Sequence, residues 1–329
     1  MSTDTFQYAA PVVQLPRVAA DLSRYGSLTS TVPKELVHRA AVAEVLLTGW
    51  ERHDESRFTV TAQWPRGHSF FTPINGSHYD PLMATETIRQ VGSLLAHAEF
   101  QVPLGHQFLM RDLEVAVDPQ YLALEGVPAS LELEVTYTEV KQRRNTHTAA
   151  RYEAVIRRDG HIVATGGAAY TCVGPEIYQR LRGSKLSSDR PLLRLTAPVS
   201  PQSVGRMSPM DVALSPLGEG NRWQLRVDTR HPILFDHPVD HVPGMVLIEA
   251  ARQATTAVLA PASPGTVTFL PTRIASTFQR YAELDSPCVI EAHQVPTGPG
   301  SGDDLVLVTG TQNDEPLFST TVAARRLHV

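Results

Sequence analysis

His231-Pro-Ile-Leu-Phe-Asp-His237-Pro-Val-Asp-His241-Val-Pro243-Gly244-Met-Val-Leu-Ile-Glu249-Ala-Ala-Arg252-Gln253 repeats the layout of an earlier stretch, His68-Ser-Phe-Phe-Thr-Pro-Ile-Asn-Gly-Ser-His78-Tyr-Asp-Pro81-Leu-Met-Ala-Thr-Glu86-Thr-Ile-Arg89-Gln90. Pairing the two glutamates sets an offset of 249 − 86 = 163, almost half of the 329 residues. That offset also pairs His68 with His231, His78 with His241, Arg89 with Arg252 and Gln90 with Gln253. The pattern H-x9-H-x7-E-x2-R-Q thus occurs twice without a gap, which marks an internal duplication.

The surroundings of the two copies agree. Alternating segments at Ser56–Trp64 and Asn221–Asp228 precede the motif and predict strands. Pro81 or Pro243 then opens an apolar-rich run, Leu82–Phe100 or Met245–Leu259, which predicts a helix. Further strands are predicted at Gln107–Val117, Ser130–Lys141, Thr148–Arg157 and His161–Val173 in the first half. In the second half they fall at Thr266–Phe278, Cys288–Val295, Asp304–Thr311 and Pro316–Arg325. A long apolar helix among antiparallel strands that wrap it is the hotdog arrangement. The expected fold is therefore α+β, a tandem double hotdog. Residues 1–35 form an irregular lead-in, 36–174 an N-terminal hotdog, 175–205 a Pro- and Ser-rich linker with a short helix near Ile177–Leu181, and 206–329 a C-terminal hotdog. The two sheets are expected to join edge to edge.

Composition sets bounds on function. Hydrophobic residues make up 42% and charged residues 19%, a globular balance. A net charge of −5 gives no basic field for nucleic acid. No apolar run approaches the ~20 residues of a membrane span, and no signal peptide is legible, so a cytoplasmic protein is expected. Cys172 and Cys288 lie in no metal-ligand spacing and are expected to be buried free thiols.

The second copy resembles the hydroxyacyl-thioester dehydratases in its histidine loop, Pro-Gly and acidic helix, although its loop is shorter and lacks the first Pro-Gly. A closer resemblance covers nearly the whole chain. Val32-Pro-Lys-Glu-Leu-Val-His-Arg-Ala, Val227-Asp-Thr-Arg-His-Pro and Asp236–Gln253 are similar to signatures of the A-factor (γ-butyrolactone) synthase family. The resemblance implies transfer of a 3-oxoacyl group from acyl carrier protein to the hydroxyl of dihydroxyacetone phosphate. Ring closure would then lead to a butenolide phosphate, precursor of a γ-butyrolactone or furan signal. It implies no cofactor, and it implies Glu86, Glu249 and Arg252 as key residues.

Acyl transfer to an alcohol needs a base, donors for the oxyanion and a cation for the acceptor phosphate. Glu249 is the expected base, its pKa raised by burial. Arg252, three residues on, shares its helix face and is the expected phosphate ligand or carboxylate partner. Gly244 opens the helix N-terminus to a thioester carbonyl. His237 is the candidate acid or donor on the thioester side. His241, His78, His68 and Arg89 complete the expected substrate-binding set. Pro81 stands opposite Gly244 and has no N–H to donate, so the two sites should be unequal, the active one being built on Gly244, Glu249 and Arg252 with His68 and His78 from the first half. Leu82, Met83, Met245 and Val246 are expected to line the acyl tunnel, and Glu86 to position Arg252 or tune Glu249.

His231, His237 and His241 with Asp236 and Asp240 lack a recognisable metal-site context, and no metal is expected. Lys141, Arg143, Arg144 and Arg151 form either a solvated face or a docking patch for an acidic carrier protein. A homodimer is allowed. Two other functions stay open: a thioesterase or dehydratase, which would need no phosphorylated acceptor, and a non-catalytic acyl-ligand-binding regulator.

Overall fold

The computed structural model describes residues 28–143, 146–186, 192–218, 220–260, 268–298 and 302–327. Most of the lead-in, and Arg144 of the basic stretch, lie outside them. Twelve strands form one sheet: β1 Leu47–Arg52, β2 Arg57–Trp64, β3 Gln107–Val117, β4 Ala129–Arg143, β5 Thr146–Arg158, β6 His161–Val173, β7 Leu214–Pro216, β8 Arg222–Leu225, β9 Thr268–Phe278, β10 Cys288–Val295, β11 Asp303–Gln312 and β12 Glu315–Leu327. Every pairing is antiparallel, in the order β1-β2-β4-β5-β6-β3-β9-β12-β11-β10-β8-β7. Read inward from its two ends, the order is the same for both halves. They meet where β3 pairs with β9, from Asp112↔Thr277 to Ala116↔Arg273.

Alternation explains the strands. From Ala129 to Tyr137 in β4 every second residue is buried and the others are exposed, so one face packs inward and one is wet. Helices α1, Pro81–Ala98, and α3, Gly244–Leu259, are the central helices of the two halves. Almost every residue of α1 from Pro81 to His97 is buried. A helix enclosed on all sides must satisfy its polar groups internally. Thr87, for example, donates to the Met83 carbonyl at 2.7 Å and accepts from Trp64 Nε1 at 2.9 Å. Gly92 is required by close approach, since a Cβ there would lie 2.6 Å from the Tyr152 hydroxyl. A third helix, α2, Pro175–Arg182, occupies the predicted linker. Its Arg182 is bound by Asp240 at 2.6 Å and Glu283 at 2.7 Å, which ties the segment to the second half.

Cys172 and Cys288 are buried free thiols, and burial pushes both thiol pKa values up to about 12. Arg151 pairs with Asp112 at 2.6 Å on the outer sheet face. No described helix is long and apolar enough to cross a membrane.

Candidate active site

Each central helix buries one glutamate inside a cage of cations. In the first half, Glu86 accepts from Arg89 at 2.7 and 2.8 Å, from Gln90 at 2.7 Å, and from Arg39 at 2.6 and 3.0 Å. In the second half, Glu249 accepts from Arg252 at 2.7 and 2.9 Å, from Arg206 at 2.8 Å, and from Gln253. The glutamines continue the cage into the backbone. Gln90 joins Leu46 N–H to the Glu44 carbonyl, and Gln253 joins Ala213 N–H to the Asp211 carbonyl.

The arginines then cross between halves. Arg206 donates to the Phe70 carbonyl at 2.6 Å, and Arg39 donates to the Ile233 carbonyl at 3.4 Å. Those carbonyls lie in the loops that the repeated histidines hold. Nδ1 of His68 accepts from the N–H groups of Phe70 and Phe71, both at 3.1 Å. Nδ1 of His231 accepts from Ile233 and Leu234 at 3.2 and 3.0 Å. The opposite nitrogens reach Glu44 and Asp211 at 3.3 and 3.1 Å. The repeated motif therefore builds a clasp by which each half grips the other.

This corrects the expectation for Glu249. Burial alone would raise its pKa, but Arg206 and Arg252 outweigh that and hold it at about 2; Arg39 and Arg89 do the same for Glu86. A carboxylate so tightly held and fully enclosed is a poor general base. Glu86 neither positions Arg252 nor touches Glu249; its partners are Arg39, Arg89 and Gln90. A carboxyl depressed by folding adds stability that is complete above the unfolded value near 4.5 and is lost as pH falls toward 2. Acid titration followed by circular dichroism should therefore show cooperative unfolding in that window, with each glutamate contributing on the order of 3 kcal/mol. A chain still folded at pH 2 would contradict the cage.

The open space is elsewhere. A cavity of about 210 Å³ lies between α1 of the first half and the N-terminus of α3. It is bordered by Arg39 and Arg89 from the Glu86 cage, by His38, Gly92, Ser93 and Tyr152, and by apolar Phe108, Met110, Leu113, Ile233 and Ile248. Asp236, His237, His241, Gly244 and Met245 close it from the second half. Of the expected site residues, the structure brings Gly244, His237, His241 and Arg89 together here, with Glu86 directly behind.

Glu249 and Arg252 do not border this cavity, because the Arg206 cage seals them. His68 is occupied by its loop, and His78 lies on the approach to α1, bonded to Ser77 at 2.9 Å and bridged to Ile74 and Ala123. Neither borders the cavity. Leu82, Met83 and Val246 pack into the core, and of the expected tunnel residues only Met245 faces the space. The site thus joins Gly244 to Arg89, not to Glu249.

The two helix starts differ as the sequence suggested, but through another residue. At α1, Asp80 is the N-cap and its carboxyl accepts from Leu82 N–H at 2.9 Å. At α3 the N-cap is Pro243, whose ring has no hydrogen-bond acceptor to offer, so the first N–H groups of α3 carry no side-chain cap where Gly244 and Met245 border the cavity. Asp236 binds the N–H groups of Ala40 and Ala41 at 2.6 and 3.2 Å and accepts from Nδ1 of His237 at 3.2 Å. Asp240 holds His241 Nδ1 in the same way at 2.8 Å.

Sequence reading missed His38, Arg39, Arg206 and Asp80 as individual residues. Arg39 and Arg206 stand 206 − 39 = 167 apart, four residues off the 163 of the motif, so a gapless repeat does not pair them.

Comparison with known proteins places the chain. The model of the A-factor biosynthesis hotdog domain matches twice, over 20–174 and 187–327. A 2-oxo-3-(phosphooxy)propyl 3-oxoalkanoate synthase of Streptomyces virginiae is 54% identical over 91% of this chain and 99% of its own. A synthase of the same name from Streptomyces coelicolor is 40% identical over 94% of this chain and 97% of its own. Among solved structures, an acyl-ACP thioesterase from Bacteroides thetaiotaomicron matches with a TM-score of 0.49 at 11% identity, over 81% of this chain and 98% of that one.

Proposed function

The chain belongs to the A-factor biosynthesis hotdog family, and on that premise we propose that it is an acyltransferase that joins a 3-oxoacyl group to the free hydroxyl of dihydroxyacetone phosphate in the cavity between α1 and α3. The product would be the ester named in its relatives, a 2-oxo-3-(phosphooxy)propyl 3-oxoalkanoate. The observation that carries the reading is the meeting of three features in one cavity: two guanidiniums, an uncapped helix N-terminus and an apolar wall.

Each feature answers one demand of the reaction. Arg39 and Arg89 offer planar donors and positive charge to a phosphate. Glu86 fixes both, so their positions are set before substrate arrives. The N–H groups at the start of α3 suit the thioester carbonyl oxygen as it turns into an oxyanion, aided by the helix dipole. Phe108, Met110, Leu113 and Ile248 suit the acyl chain. His237 and His241, on the loop before α3, would lie beside the thioester arm, with acyl carrier protein as donor. Glu249 and Arg252 support the site from the other half by holding the Phe70 loop through Arg206. A cytoplasmic location fits a carrier-protein thioester and a triose phosphate as substrates.

The test is mass spectrometry of products after mixing the protein with 3-oxoacyl carrier protein and dihydroxyacetone phosphate. The expected result is a new ester whose formation needs both substrates. Hydrolysis of the thioester at the same rate without the triose phosphate would identify a thioesterase instead.

A further inference from the structure

We propose that His38, held by His97, is the general base that takes the proton from the acceptor hydroxyl. The proposal rests on the acyltransferase reading of the cavity.

The tautomers follow from the hydrogen bonds. Nδ1 of His97 lies 2.6 Å from the Val102 carbonyl oxygen, which can only accept, so this nitrogen carries the hydrogen. In the neutral ring Nε2 of His97 is then an acceptor. Nε2 of His38 lies 2.7 Å from it and must donate. That leaves Nδ1 of His38 with its lone pair free, and it has no partner among the described residues. His38 borders the cavity next to Arg39 and Arg89, where the phosphorylated acceptor would sit.

The backbone gives independent support. His38 has φ +54°, in the left-handed region that disfavours a side chain. Its counterpart at the 167 offset is Gly205, with φ +70°. His97 corresponds to Ala260 at the 163 offset. The second half thus lacks both imidazoles. The first half, whose α1 borders the cavity, keeps both, one of them in a conformation that costs about 1 kcal/mol.

The step balances. The acceptor oxygen attacks the thioester carbon as its proton moves to Nδ1 of His38. The tetrahedral oxyanion collapses, the C–S bond breaks, and the same proton passes to the leaving sulfur. Ester and free thiol result, and His38 returns neutral. His38 faces Arg89, His97 and His237; burial first, then Arg89, lowers its pKa to about 3, so the free ring is neutral and its Nδ1 lone pair unprotonated. A phosphate bound at Arg89 offsets that positive charge and strengthens the base as the acceptor arrives.

His38→Gly is the test, because glycine already occupies the matching position of the second half. With 3-oxoacyl carrier protein and dihydroxyacetone phosphate, kcat should fall about 10²- to 10⁴-fold while the unfolding temperature holds. Added imidazole should restore at least about tenfold, the scale of a replaced base. His97 is a positioning residue: His97→Leu should lower kcat and leave KM, and His97→Gln, whose amide oxygen can accept from His38, should recover part of the loss. If His38→Gly lowers the unfolding temperature, His38→Asn, which also tolerates a left-handed backbone, is judged by kcat on the same scale. A folded His38 variant within threefold of wild type overturns the proposal, and so does one that loses rate but gains nothing from imidazole. A wild-type protein that makes no ester refutes the acyltransferase reading itself.

Discussion

Glu249→Ala should destabilise the protein by about 3–5 kcal/mol, enough to leave little folded chain at physiological temperature. The carboxylate sits at 0% exposure with Arg206 and Arg252 directly against it. Removing it leaves two buried guanidiniums without a counter-charge and takes the acceptor away from Gln253. Arg206 also holds the Phe70 carbonyl, so the loss spreads to the junction of the halves. Glu249→Gln should be nearly as harmful, since its amide cannot accept from both arginines. Glu86→Ala should cost less, because Arg89 keeps 19% of its side chain exposed at the cavity and water can take over part of its solvation. Urea unfolding followed by tryptophan fluorescence measures all three. A Glu249→Ala protein with the wild-type midpoint and no turnover would restore the catalytic reading of Glu249 and sink this one.

How much was legible in the sequence follows from what each signal measures. Strands β3, β6 and β10 have the bounds read from the sequence, and β10 alternates over most of its length, as a sheet with one wet face does. Strands β1 and β7 escaped notice: Leu47–Arg52 runs to three exposed residues, and Leu214–Pro216 is too short to show a period. The repeat correctly announced two like halves. Both copies build the same clasp: His68 and His231 hold loops, and Glu86 and Glu249 anchor arginines. Duplication keeps what holds the halves together. The cavity lies where the copies part, at Asp80 against Pro243 and at His38 against Gly205. The Val32–Ala40 signature contained His38 and Arg39, but only the fold carries Arg39 across 47 residues to Glu86 and His38 across 59 residues to His97.

Pro243→Asp should cut turnover by about 10²- to 10³-fold, the usual cost of losing an oxyanion donor, and leave the fold intact. The substitution copies into the second half what Asp80 does in the first. The two N-caps have similar backbone angles, φ −66°, ψ 123° at Asp80 and φ −58°, ψ 144° at Pro243, so aspartate fits without strain. Its carboxylate would accept from the first N–H groups of α3 and draw Arg39 and Arg89 toward itself, filling the place proposed for the substrate oxyanion. The new cap is worth about 1 kcal/mol, and the lost rigidity of proline in the unfolded chain takes back a similar amount. The unfolding midpoint should therefore barely move. Pro243→Ala is the control: it leaves the helix start uncapped and should keep turnover within about an order of magnitude of wild type, since it removes no oxyanion donor. Steady-state rates with 3-oxoacyl carrier protein and dihydroxyacetone phosphate separate the two variants. Equal rates would mean that the start of α3 does not hold the reacting carbonyl. A large loss in the aspartate variant alone would mean that the site at the open helix start, built from both halves, is the one that works.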